Sequence, residues 1–285
     1  MILIKNYLKS HPIPSYFILT FVVSWGGVLL LGGPYGMPTT QENFQKLWPI
    51  VFLPYLLGPS LSSFILTGIV DGKVGFQSLI ARMTTWRVKI KWYTIALLTA
   101  PLLVLTILVP LSMYSSAYLP AIFTTVDKLG LLITGIAVGF FGGGFLEEPG
   151  WTGFAVPRLK LQHSLLSTGL ITGFLWGVWH FLPTFWGSGD SSGVLSLSLL
   201  LPPCFFYLAV LPAFRVLMVW VYDRTKSLLV VILMHMSLTT STLFILAPSA
   251  NGFQLFFYYL VLAVALWIGV LAVKLTANAG EQNPL

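Results

Sequence analysis

Leu129–Ala155 reads LGLLITGIAVGFFGGGFLEEPGWTGFA, and its only ionisable groups are two adjacent carboxylates, Glu147 and Glu148. A run this long and apolar exceeds the roughly twenty residues a helix needs to cross a bilayer. Inside hydrocarbon a helix satisfies its own backbone, so the stretch is expected to span a membrane. The two glutamates are then costly exceptions: a charged side chain at mid-bilayer costs on the order of 3 kcal/mol on insertion scales.

Seven similar runs surround this one: Tyr16–Leu31, Trp48–Val70 and Trp92–Met113 before it, and Leu165–Trp186, Val194–Tyr222, Leu228–Leu246 and Phe253–Lys274 after it. The expected fold is all-α: a polytopic membrane protein of about eight transmembrane helices, forming a single transmembrane domain over residues 1–285. Pro202, Pro203 and Pro212 predict a kink or break in the sixth run, because proline removes a helix hydrogen bond. Tyr16–Leu31 follows Lys5 and Lys9 as a signal peptide would. It is long for one, however, and a turn-like Gly32-Gly33-Pro34 follows instead of a cleavage site.

Composition agrees. Of 285 residues, 56% are hydrophobic and 8% charged, against roughly a quarter charged in soluble domains. Most of the surface must face lipid, so the bilayer is the first expected partner. The net charge of +7 does not indicate nucleic acid, because the basic residues fall between the apolar runs. Cys204 is the single cysteine, which excludes an intrachain disulfide and a cysteine zinc cage.

Basic residues also set an orientation. Lys5, Lys9, Lys73, Arg82, Arg87, Lys89, Lys91, Arg158, Lys160, Arg224, Lys226 and Lys274 cluster at alternate ends of the runs. The opposite connections hold only Lys46 and Lys128, each with an acidic neighbour, Glu42 or Asp127. The positive-inside rule puts both termini in the cytoplasm, as eight spans require. The expected location is a bacterial plasma membrane. Lys73–Lys91, carrying Phe76 and Trp86, fits either a segment lying on anionic lipid or a solvated loop.

Five ionisable residues lie inside apolar runs: Glu147, Glu148, His180, Arg215 and His235. Helix neighbours point about 100° apart, so one glutamate can face a cavity while the other faces a neighbouring helix. Gly142, Gly143 and Gly144 allow close helix approach, and Pro149 frees a carbonyl one turn earlier. Trp176 lies one turn before His180, and His235 shares a face with Thr239. Each residue alone admits a structural explanation: an interhelical hydrogen bond for a histidine, a packing seam for the glycines, a counter-ion for Arg215. Two carboxylates on one helix with single histidines on two others are nevertheless the parts of a hydrolytic site.

The pattern Glu147-Glu148-x-x-x-Thr152, then Trp176-x-x-x-His180, then His235-x-x-x-Thr239 resembles the CAAX-protease and bacteriocin-processing (CPBP) family of intramembrane endopeptidases. The similarity extends through Pro149–Leu159 and through Arg215–Thr225, and covers about residues 129–240. The resemblance implies an eight-helix core with a catalytic cavity reached from the cytoplasmic side. It implies Glu147 as general base with His180 as its partner, and His235 with Thr239 facing the tetrahedral intermediate. Glu148, Trp176, Thr152 and Arg215 would support them. The substrate would be a peptide or membrane protein cut near the cytoplasmic face.

Two positions depart from the family. It usually has Arg where this chain has Thr152, which deprives Glu148 of a partner, so Glu148 is expected to be protonated or paired elsewhere. It often has Asn where this chain has Thr239, whose hydroxyl still offers one donor. These departures leave room for a non-catalytic immunity or regulatory subunit, and buried Glu and His also suit a proton-coupled transporter. No cofactor is expected; zinc or another divalent metal on Glu147, Glu148, His180 and His235 stays open. One geometric tension remains: His235 falls about 10 Å into its helix and His180 about 22 Å into its own. His163 is expected at the water interface.

Overall fold

The computed structural model describes residues 2–281; residue 1 and residues 282–285 of the expected domain lie outside the described residues. No strand occurs among the described residues, and eight helices are long and apolar enough to cross a membrane. They are Pro12–Leu31, Gln41–Val70, Ile90–Ser112, Lys128–Leu159, Leu165–Trp186, Leu197–Thr225, Leu228–Ile245 and Gly252–Lys274, here spans one to eight. The expected runs match these one for one with ends shifted by a few residues. The largest shift is at span two, which begins seven residues before Trp48, at a helix start where the Thr40 hydroxyl accepts the Asn43 amide.

Four spans depart from plain α-helix around one place. Span four widens into π turns over Val138–Phe145 and Trp151–Ala155, span six over Phe206–Val210, and span seven over Ser241–Ile245. The prolines explain part of this. Pro202, Pro203 and Pro212 led one to expect a kink or break in span six; it runs on without a break, and its wide turn falls between Pro203 and Pro212. Span five bends at His180, two helical pieces meeting there. Pro183 has no amide for the Trp179 carbonyl, and the Trp25 indole of span one donates to that carbonyl instead, at 2.9 Å.

Small residues set the helix spacing. Gly169, Gly173 and Gly177 line one edge of span five, and a Cβ on any of them would fall within 2.7 Å of Val216, Pro212 or Tyr207 of span six. Span four meets span seven the same way, and the Thr240 hydroxyl closes the contact on the Gly135 carbonyl at 2.8 Å.

The basic segment Lys73–Lys91 starts in a helix, Gly72–Met83, and non-helical residues 84–89 join it to span three. Leu79 packs with Leu228 and Ile232, while Arg82 donates to the Gly153 carbonyl and the Tyr222 hydroxyl, both at 2.9 Å. Arg158 pairs with Asp71 and Lys160 with Asp223 at the same end of the bundle. Val74, Ile80 and Trp86 stay exposed beside Lys73 and Arg87, the composition of a face lying on a membrane surface.

Candidate active site

Glu147 and Glu148 diverge as adjacent helical residues must. Glu148 turns into the bundle and is completely buried. Arg215 Nη1 of span six donates to both its oxygens, at 2.9 and 2.8 Å, and the Thr152 hydroxyl donates to Oε2. His235 Nδ1 of span seven meets Oε1 at 2.7 Å. The expectation that Glu148 finds a partner elsewhere is met by a guanidinium sixty-seven residues along the chain. Thr152 stands where the family usually has Arg, and Arg215 delivers the positive charge from another helix. The replacement therefore leaves the carboxylate compensated, and it no longer speaks for a degenerate site.

Glu147 turns to a cavity of about 510 Å³ whose walls include Tyr55, Gly143, Glu147, Trp176, His180 and His235. Its Oε2 accepts the indole N–H of Trp176 at 2.8 Å and that of Trp151 at 3.1 Å. Among the described residues none donates a hydrogen bond to its Oε1. One carboxylate oxygen is thus fixed by two donors and the other is free to meet a ligand.

Trp176 is the hub. Its N–H holds Glu147, and its ring lies 4.1 Å from the Arg215 guanidinium. Edge-to-face contacts place its ring centroid 5.9 Å from His180 and 4.9 Å from His235. The bend in span five diverts the His180 amide to the Gly177 carbonyl, leaving the Trp176 carbonyl free, and His180 Nδ1 meets it at 2.8 Å. A carbonyl only accepts, so Nδ1 carries the proton and a neutral His180 presents the Nε2 lone pair. His180 was expected to partner Glu147 in activating water; both line the cavity, with no hydrogen bond between them, and Trp176 touches both. The same residue resolves the depth mismatch between the histidines. It sits four residues, about 6 Å, nearer the start of its helix than His180, and its indole covers the remaining distance to His235.

His235 and Thr239 both face Gly143. A Cβ there would lie 2.7 Å from the Thr239 hydroxyl oxygen and 3.0 Å from His235 Nε2. Glycine is required at 143 for this approach. His163 is exposed, away from the site.

Three contributors carried no role in the sequence. Trp151 is one turn after Glu147 within the same motif, a spacing that could have flagged it. Tyr207 stacks on His180 with centroids 4.4 Å apart, and Tyr55 stacks on Trp179 at 4.0 Å. Both lie in featureless apolar text.

The four-residue metal set does not assemble. Among the described residues no three of His, Cys, Asp and Glu converge as metal ligands. Glu148 is occupied by Arg215, Thr152 and His235, and the indoles hold one oxygen of Glu147.

A polytopic helical protein with a carboxylate and two imidazoles around one intramembrane cavity has the parts of a membrane-embedded hydrolase. Residues 128–240, from the start of span four to the last α turn of span seven, match the family described as type II CAAX prenyl endopeptidase Rce1-like. The chain is 24% identical over 240 residues to CAAX prenyl protease 2 of Methanococcus maripaludis, covering 82% of this chain and 84% of that protein. Over these residues the chain is similar to the CAAX-protease (CPBP) family, and that likeness supports a membrane peptidase.

Proposed function

We propose that Glu147 activates a water molecule to hydrolyse a peptide bond held in the cavity, in a protein of a bacterial plasma membrane. The observation that carries this reading is the asymmetry of the Glu147 carboxylate, which lines the cavity: Oε2 is pinned by two indole N–H groups while no described residue donates to Oε1. A base must be oriented and still have a lone pair to use.

Water placed between Oε1 and the His180 ring gives its proton to Glu147, and its oxygen bonds to the scissile carbonyl carbon. The resulting oxyanion lies against the Thr239 hydroxyl and His235. Donation from His235 Nε2 while Nδ1 stays on Glu148 makes the ring an imidazolium, and Glu148, at 2.7 Å, is the counter-charge. Glu147 then returns the proton to the leaving nitrogen as the C–N bond breaks, so one water yields a carboxylic acid and an amine. Arg215 and Thr152 position Glu148, and Trp176 and Trp151 position Glu147. The substrate is a peptide, and whether it carries a lipid is independent of this chemistry.

Glu147→Gln tests it. Comparing membrane proteomes of cells carrying wild-type and Glu147→Gln protein is expected to show products present only with wild type, at equal levels of inserted protein. Identical processing in both would end the assignment.

A further inference from the structure

The hollow of this protein lies in one half of its thickness and its basic residues at the end of the other half. The Ser60 hydroxyl donates to the Leu146 carbonyl at 2.6 Å, so Ser60 of span two lies level with the neighbourhood of Glu147. Every residue that span two gives to the cavity, from Phe44 to Leu56, precedes Ser60. The wall therefore rises sixteen residues, about 24 Å, away from the end where Val70 leads into the basic helix. The other spans agree despite alternating direction. Span four contributes only Val138–Glu147, span five only Trp176 onward, span six only Phe206–Leu211, and span seven only His235 onward.

Past Glu147 in the other direction the bundle is filled. Trp151, Phe154, Tyr16 and Val219 are buried there, and the Gly72–Met83 helix, pinned by Arg82, lies across that end. The closed end carries twelve of the fifteen Lys and Arg residues. The open end carries Lys46 and Lys128 against Glu42, Asp127 and Asp190. Asp190 stays ionised there, because the Ser192 hydroxyl and the amides of Ser192 and Val194 hold its carboxyl below the usual range.

Two sequence expectations are thereby incompatible: basic ends in the cytoplasm and a cavity reached from the cytoplasm. Twelve basic residues against two is a strong retention signal, whereas the cytoplasmic opening came only with the resemblance. We infer that the cavity opens on the non-cytoplasmic face, and that the enzyme takes membrane-anchored peptides whose scissile segment has already been carried to that side. This rests on the endopeptidase reading above and specifies its substrate class. A row of rings on span two, Phe44, Trp48 and Phe52, with successive centroids 5.3 and 5.2 Å apart, lines the way from the mouth toward Tyr55 and suits an apolar peptide segment leaving the outer leaflet.

Single cysteines on a Cys204→Ser background test it. Gln45→Cys and Ser191→Cys are exposed at the open end, Gln77→Cys and Gln162→Cys at the closed end. A membrane-impermeant maleimide applied to spheroplasts is expected to label the first pair only, and applied to inside-out vesicles the second pair only. The reverse pattern overturns the inference. In the proteome comparison, chain ends that depend on Glu147 are expected on the non-cytoplasmic side of their spans; ends on the cytoplasmic side overturn it as well. Failure of the peptidase reading looks different, as processing unchanged by Glu147→Gln whichever pair is labelled.

Discussion

Glu147 and Glu148 are neighbours with the same side chain, and the bundle treats them as different chemical objects. Both oxygens of Glu148 are occupied, by Arg215, Thr152 and His235. That carboxylate is part of the scaffold, a buried ion pair whose hydrogen bonds fix one histidine. Glu147 lines a cavity with one oxygen held by two indoles and the other without a donor among the described residues. On the assignment proposed above, the difference teaches how a membrane interior can host a base: saturate one carboxylate to hold the helices, and leave the other half-satisfied. Structure follows from the first and chemistry from the second.

The sharpest way to break this contrast is the same substitution at both positions. In Glu147→Gln the amide oxygen can keep both indole bonds, and its NH2 turns to the cavity, so shape survives and the base is lost. Activity is expected to fall about 10⁴-fold, the upper range for a general base, with the thermal midpoint little changed. In Glu148→Gln the buried Arg215 loses its counter-charge, and stability is expected to drop by about 3–5 kcal/mol. Activity assays and thermal unfolding in detergent measure both. Equal stability losses at the two positions would erase the distinction.

Next in size is the guanidinium. Arg215→Ala leaves Glu148 buried without its charge partner and is expected to cost about 3–5 kcal/mol. Because Thr152 also bonds Glu148, the double variant Arg215→Ala, Thr152→Arg brings the charge back from span four. It is expected to recover part of the stability and activity that the single variant loses. No recovery would mean that the position of the charge, and not just its presence, is fixed by the Trp176 ring beneath Arg215.

A smaller effect is expected at the far side of the cavity. Thr239→Val keeps the shape and removes the hydroxyl that lies against Gly143 with His235. Loss of one oxyanion donor costs about 10²–10³-fold in rate, with KM nearly constant because the donor acts only once charge has developed. A change confined to KM would assign Thr239 to substrate binding.

How much of this was legible beforehand depends on how local the signal is. The eight spans follow from hydropathy alone, and the divergence of Glu147 from Glu148 from helix geometry alone. That Glu148 needed a partner was also readable, since Thr152 stands where a guanidinium was expected. That Arg215 would be that partner was not readable, because nothing in the sequence says which faces of spans four and six meet. Trp151 was within reach, one turn from Glu147. Tyr207 was not, since its stacking on His180 depends on the wide turn at Phe206–Val210, and an apolar run reads the same whether its turns are α or π. The end at which the cavity opens lay beyond the sequence for the same reason: basic residues report which end stays inside, but only packing shows which end is filled.

The finest test separates the two indoles that hold Glu147. Trp176 donates at 2.8 Å and also touches both histidines and Arg215, whereas Trp151 donates at 3.1 Å and packs against Tyr16 and Trp179. Phenylalanine at either position keeps an aromatic ring and removes one hydrogen bond to a carboxylate, about 1.5–3 kcal/mol, or roughly 10–100-fold in rate. Trp176→Phe is expected at the upper end of that range and Trp151→Phe at the lower. If the indoles serve only to orient the base, each loss falls on kcat, and adding the second substitution to the first costs more than either alone. A double variant no worse than Trp176→Phe would show that one donor suffices to aim the carboxylate, leaving Trp151 as packing.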